Sequence, residues 1–325
     1  MAFITPRHTR RDFLKAVAGT CSCAICGGAN ARTLKYELLA SEVETGTWVV
    51  HGRNENFTLE NGGNIVNTAF IEVPEGVVVI DTGPSKRFGD QFLDLIEQTL
   101  PGKPILRVYN THHHPDHFLG NQVFDNSIIA APQQVIDNIN TEGDMMSDNM
   151  YRILGDWMRG TQTIAPSVAL DAEKEEIGGR DFSLFYMSGH TSADFVIRDD
   201  KTGVLFTGDL LFLYRAPTTP SADIDAWRQS LASLRSTDRD LIVPGHGPGD
   251  EKSDSIDQTL DWLDWLEGSL KEAVDKGWTM NEAMRIEVPK RFAALAVAQD
   301  EFERSVVHLY QRYEDELFPE IQIIK

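Results

Sequence analysis

Four histidines and one aspartate crowd the stretch Asn-Thr-His-His-His-Pro-Asp-His, residues 110–117. Imidazole and carboxylate are donors for divalent zinc, iron, manganese or cobalt. In an extended segment alternate residues share a side, so His112 and His114 can reach one cation while His113 points the other way. Pro115 suits the first position of a helix, where its missing N–H costs nothing. A helical turn starting there sets Asp116 and His117 one turn on, offset from the first pair. Two adjacent metal ions fit that offset better than one.

Further candidates stand at three later points, each at an expected strand end: Gly189-His190-Thr191, Gly208-Asp209-Leu210 and Gly245-His246-Gly247. Glycine beside a ligand lets backbone and ion come close. The set is then His112, His114, His117, His190 and His246 with Asp116 and Asp209, and no cysteine. Such donors do not suit Cu(I) or an iron–sulfur cluster.

Strands must bring these residues together. Ile65–Val73 and Val77–Ile80 read as two strands joined by a turn at Pro74-Glu75-Gly76. Phe88–Leu100 sets Phe88, Phe92, Leu95, Ile96 and Leu100 on one helical face. Ile105–Tyr109 is a short strand feeding the histidine cluster, Ser127–Ala131 is another, and Met145–Met158 is a helix of weak periodicity. In the second half Phe182–Met187, Phe195–Arg198 and Val204–Phe206 read as strands. A helix over Asp223–Leu234 has Asp223 as its expected N-cap. Leu241–Val243 is a strand ending in Pro-Gly-His-Gly, and the chain from about Ser253 is mostly helical. Strand-rich and helical patterns thus occur twice with no linker between them. They imply one domain of two similar α/β halves, with two sheets face to face and helices outside.

The chain has 325 residues, 41% of them hydrophobic, enough for an ample core. Mean hydropathy is −0.28, and no apolar stretch approaches the roughly 18–20 residues that span a bilayer. A net charge of −20 repels phosphate backbones, which argues against a nucleic-acid substrate; the expected partner is a small-molecule substrate. The first 31 residues differ from the rest. Thr9-Arg10-Arg11-Asp12-Phe13-Leu14-Lys15, a run of small residues and Ala29-Asn30-Ala31 resemble a bacterial twin-arginine export signal. The expected division is 1–31 as signal and 32–325 as the mature domain with a helical C-terminal tail, in the periplasm. Cys21, Cys23 and Cys26 all lie in the signal-like part. That part holds four basic residues and one acidic, so the mature chain would carry −23 and no thiol.

Thr-His-His-His-Pro-Asp-His matches the H-x-H-x-D-H motif of the metallo-β-lactamase superfamily. The resemblance continues in order through Val79-Ile80-Asp81-Thr82-Gly83, Gly189-His190-Thr191, Thr207-Gly208-Asp209 and Pro244-Gly245-His246-Gly247. It implies a four-layer αββα sandwich with a dinuclear site at one edge of the sheets. By that pattern His112, His114 and His190 hold one zinc ion, Asp116, His117 and His246 hold the other, and Asp209 bridges them; iron or manganese are alternative occupants. Asp81 resembles the family's buttressing carboxylate, which orients a ligand histidine or its loop. Such a site cleaves a small ester, thioester, lactone or amide with a metal-bridging hydroxide, and Asp116 would orient it and move its proton.

Departures narrow the branch. His114 stands where flavodiiron proteins have Glu, and Asp209 where the clinical β-lactamases have Cys or Ser. Three longer stretches, 110–121, 202–217 and 241–248, resemble the exported quinoprotein relay system zinc metallohydrolases, whose members tend to accompany periplasmic quinoprotein oxidations. Competing expectations are a mononuclear iron sulfur dioxygenase and a non-catalytic metal-bearing accessory protein of a quinoprotein dehydrogenase. For the substrate, Tyr214 and Arg215 follow Asp209 closely enough to reach a pocket, and Arg215 could receive a carboxylate. A loop over 48–57 could cover the metals with Trp48 or Phe57. Met145, Met146 and the Trp262/Trp265 pair read as helix packing, and His51 and His308 as surface or packing residues.

Overall fold

Ala69, Ile71 and Val73 alternate with Phe70 along one strand, and this two-residue period recurs wherever a sheet is buried on both faces. The computed structural model describes residues 34–317; the signal-like segment 1–31 and its cysteines lie outside the described residues. Strands β1 (Ala40–Glu44), β2 (Thr47–Val50), β3 (Thr68–Val73) and β4 (Gly76–Ile80) form an antiparallel meander. Strands β5 (Ile105–Tyr109), β6 (Ile129–Pro132) and β7 (Val168–Leu170) extend it in parallel to seven strands. The second sheet comprises β8 (Lys174–Ile177), β9 (Arg180–Met187), β10 (Asp194–Asp199), β11 (Val204–Phe212) and β12 (Leu241–His246). Its order is β12-β11-β10-β9-β8, antiparallel except for the β11–β12 pair.

Helices cover both outer faces. They are α1 (Lys86–Thr99), α2 (Pro115–Phe118), α3 (Gln133–Leu154), α4 (Ile224–Ser236), α5 (Asp254–Asp275), α6 (Met280–Ala283) and α7 (Ala298–Leu317). Between the sheets, Ala69, Ile71, Val78 and Ile80 meet Phe182, Leu184, Phe195, Ile197, Val204, Phe206 and Val243. Each such side chain contributes about 1.5–3 kcal/mol when fully buried. Residues in between point outward. Phe70 contacts Phe92 of α1, and Val196, Leu205 and Ile242 pack with Trp227 of α4, Trp262 of α5 and Phe302 of α7. The layers are therefore αββα, as the resemblance implies.

Helix starts follow local chemistry. Ser85 Oγ accepts from Phe88 N at 3.1 Å, and Asp223 accepts from Ala226 N at 3.0 Å, so the expected Asp223 cap is present. Other expectations shift. The strand expected from Ile65 begins at Thr68, because Asn67 is tied to the β12 turn: its N donates to Gly245 O and its Nδ2 to Pro244 O and Gly247 O. Trp48 lies in β2 rather than in a loop. The helix expected from Met145 starts at Gln133, and β11 runs on to Phe212. Strand β8 went unread because Lys174, Glu175 and Glu176 make a polar edge with no apolar alternation.

Candidate metal centre

The candidate ligands gather where strands end or bend at one edge of the sandwich. Beyond β5 the chain stays extended through His114 (φ −74°, ψ 146°), and Pro115 then opens α2. His112 and His114 thus project from extended backbone, and Asp116 and His117 from a helical turn. Strand β11 shifts register against β12 around Gly208, which has φ 50°. Bulges of this kind re-aim side chains, here Asp209. Glycine is required at 245 by proximity: a Cβ there would sit 1.9 Å from Asp209 Oδ1.

Two donor groups result, His112–His114–His190–Asp209 and Asp116–His117–His246, and within each the ligand atoms lie within 4.8 Å of one another. His114 Nδ1 and His190 Nε2 are 2.8 Å apart. Asp209 stands between the groups. Its Oδ2 is 3.4 Å from His190 Nε2, 3.2 Å from His246 Nε2 and 3.9 Å from His112 Nε2, while its Oδ1 is 3.2 Å from His117 Nε2. Asp116 Oδ2 lies 3.6 Å from His246 Nε2 and 3.9 Å from His117 Nε2. His112 Nε2, His117 Nε2 and Asp209 Oδ1 are buried with no aligned hydrogen-bond partner. An unsatisfied buried polar atom costs about 1–3 kcal/mol, so three of them among the two donor groups fit bound cations.

Electrostatics agree with this. Burial, with nearby imidazoles adding to it, drives His112 and His114 well below the usual histidine range. Burial takes His190 down to about 3. These rings are neutral, the form that binds metal. At His117 burial acts downward but is outweighed by Asp209, Asp81 and Asp116, which raise it. Burial would raise Asp209, yet His246 and His117 outweigh it and hold Asp209 ionised.

Outer contacts fix the rings. Asp81 accepts from Thr111 N at 2.8 Å, from Thr111 Oγ1 at 2.8 Å and from His117 Nδ1 at 2.7 Å. The Nδ1 proton of His117 thus goes to Asp81, and Nε2 faces the centre. His246 Nδ1 donates to Ile65 O at 2.7 Å, and the Phe212 ring stacks on His246 at 5.2 Å and 5°.

A cavity of about 500 Å³ opens on His114, Asp116, Asp209 and His246. Phe57 and the α3 residues Met145, Met146, Met150 and Ile153 supply its apolar lining; Arg215, Thr218, Arg304 and His308 line it as well. Met145, Met146 and His308, read as packing or surface residues, therefore line the cavity. The one sequence signal was the four-residue spacing that sets Arg304 and His308 on one face of α7, and it does not say which face meets the metal edge. The three residues proposed for substrate contact fare differently. Arg215 lines the cavity but is neither free nor on the surface: Nη2 donates to Glu301 at 3.1 Å and Nη1 to Thr218 at 3.1 Å. Tyr214 is exposed and is not part of the cavity lining. Trp48 stacks on Phe70 at 5.3 Å and 12°, toward α1, whereas Phe57 of the same segment does reach the cavity. His113 turns away from the centre and is 3% exposed, packed toward Asn138 and Glu142 of α3.

Residues 61–246 match the family described as the metallo-beta-lactamase superfamily. A linear primary-alkylsulfatase from Pseudomonas sp. is 25% identical over 294 residues, covering 75% of this chain and 54% of its own. An acyl-coenzyme A thioesterase of Homo sapiens is 26% identical over 208 residues, 57% of this chain and 74% of its own. Among solved structures, the sec-alkylsulfatase Pisa1 from Pseudomonas sp. superposes with a TM-score of 0.63 at 20% identity, covering 85% of this chain and 50% of that one. A metallo-beta-lactamase from Pontibacter korlensis gives 0.55 at 21% identity, covering 70% and 99%. The chain spans about half the length of the alkylsulfatases it matches.

Proposed function

The chain belongs to the metallo-beta-lactamase superfamily, and from that premise we propose that it is a dinuclear zinc-dependent hydrolase of a small ester, thioester, lactone or amide. One observation carries this: two donor groups, with Asp209 of the first 3.2 Å from both His117 and His246 of the second, keep unpartnered buried ligand atoms and open on a cavity. Bound zinc supplies a water acidic enough to ionise near neutral pH and a Lewis acid for the scissile carbonyl. The chain's own residues do the rest. Asp81 keeps the His117 proton on Nδ1, and Ile65 O does the same for His246. Asp116 stands at the cavity beside His246, where its carboxylate orients the attacking water and passes the proton to the leaving group. The twin-arginine-like start supports export to the periplasm, and the three quoted stretches support the quinoprotein relay subgroup.

A second reading has its own support. The 25% identity to a linear primary-alkylsulfatase runs over 294 residues, well beyond the 61–246 segment, and favours an alkyl sulfate ester as the cleaved bond. One experiment separates the readings. The purified chain is assayed for zinc and iron, then offered a p-nitrophenyl ester, a thioester, a lactone, a chromogenic lactam and an alkyl sulfate. Two zinc ions and turnover of a carbonyl substrate support the first reading. Sulfate release alone supports the second. One iron with oxygen uptake contradicts both.

A further inference from the structure

We propose that the cavity takes an amphipathic substrate: Arg304 receives a carboxylate remote from the cleaved bond, and the α3 wall holds the carbon chain between. This rests on the hydrolase reading and adds the class of substrate to it.

The lining is of two chemistries. Met145, Met146, Met150 and Ile153 present four apolar side chains from α3, with Phe57 beside them. Met145 is 66% exposed, so this apolar surface continues to the mouth. Methionine adapts to chains of varied shape. To the same cavity α7 presents Arg304 and, one turn on, His308.

The charges on that side do not balance. Arg215 Nη2 lies 3.1 Å from Glu301 Oε1, Arg304 Nη1 lies 3.3 Å from the same oxygen, and Thr218 Oγ1 donates to it at 3.0 Å. One carboxylate faces two guanidinium groups, so one positive charge is left over. Arg215 and Glu301 are buried, while the Arg304 side chain is 37% exposed and lines the cavity. The surplus is therefore presented at Arg304. Among the described residues its Nε and Nη2 make no hydrogen bond, and a guanidinium edge of that kind matches a carboxylate. None of the other acidic groups on the cavity pairs with Arg304 among the described residues. Asp116 and Asp209 belong to the metal centre, and Glu142 sits on the α3 wall, 3.7 Å from His113. In a chain of net charge −20 this cation is a local exception. Helix α7 also lies outside the matched segment 61–246, so selectivity here comes from the C-terminal tail rather than from the shared edge.

The test compares mono-p-nitrophenyl adipate and suberate with the neutral p-nitrophenyl hexanoate and octanoate, using zinc-loaded protein. The expected kcat/KM ratio favours the carboxylated ester by about tenfold, which is about 1.4 kcal/mol. Arg304→Gln should bring the ratio near one. Arg312→Gln, on the same helix and paired with Glu316, should leave the ratio as in the wild type. A wild-type ratio at or below one, or a ratio unchanged by Arg304→Gln, overturns the proposal. If no ester turns over, the thioester, lactone, lactam and alkyl sulfate assays decide the hydrolase reading separately, and calorimetry with adipate and hexanoate still tests the subsite. Tighter adipate binding that is lost in Arg304→Gln supports it, and equal binding of the two acids overturns it.

Discussion

Asp81→Asn probes how the fold prepares a ligand. Asp81 adopts φ 55°, a left-handed conformation that Asn tolerates, so the backbone should hold. Its carboxylate accepts three hydrogen bonds, two from Thr111 and one from His117. Asparagine keeps one acceptor oxygen, which Thr111 N retains, and turns the other atom into a donor. The Thr111 hydroxyl can reverse its role. His117 cannot do so without cost, because an accepting Nδ1 moves the ring proton to Nε2, the atom that faces Asp209 at 3.2 Å. Losing such an outer contact costs about 10–100-fold in metal affinity, or about 1.4–2.8 kcal/mol. The loss should fall on the Asp116–His117–His246 group, with the other group less affected. Competition with a chromogenic chelator resolves the two affinities, and thermal unfolding of the metal-free protein checks the fold. Two zinc affinities within about twofold of wild type would refute the reasoning.

Gly245→Ala should displace Asp209, since its Cβ falls 1.9 Å from Oδ1; overpacking costs about 1–3 kcal/mol, and zinc content should drop while the circular dichroism spectrum persists. Full zinc retention would contradict this. His113→Ala should keep both metals and turnover and lower stability by about 1–2 kcal/mol in urea unfolding, because the ring is buried against α3 but faces away from the centre. Loss of both metals would overturn the register of the histidine run. Asp116→Asn should lower kcat by about 10²–10⁴-fold, well beyond any fall in zinc content. Unchanged turnover would remove Asp116 from proton transfer.

The sandwich was legible because period-two runs such as Phe182–Met187 and Phe195–Arg198 pack on both faces, and the ligands because His114, Asp116, His190, Asp209 and His246 each stand beside a turn-forming glycine or proline, with His112 and His117 in the same short run. Asp81 was identifiable only through resemblance, since its partner His117 lies 36 residues away. The cavity was less legible. Met145 and Met146 carry no chemistry that distinguishes a lining residue from a packed one. Arg215 looked free because Glu301, which neutralises it, lies 86 residues downstream. Helical periodicity gives the faces of α7 but not which face meets the metal edge, and Arg304 was missed for that reason. Edge strand β8 was missed because a polar edge has no apolar pattern to read.

Metal content tied to turnover tests the central claim most directly. The chain should purify with two zinc ions, lose hydrolysis of its best ester as a chelator strips them, and regain it in proportion to zinc returned. Full hydrolysis by the metal-free chain, or a single iron with oxygen uptake and no hydrolysis, would contradict a dinuclear hydrolytic centre built on Asp209.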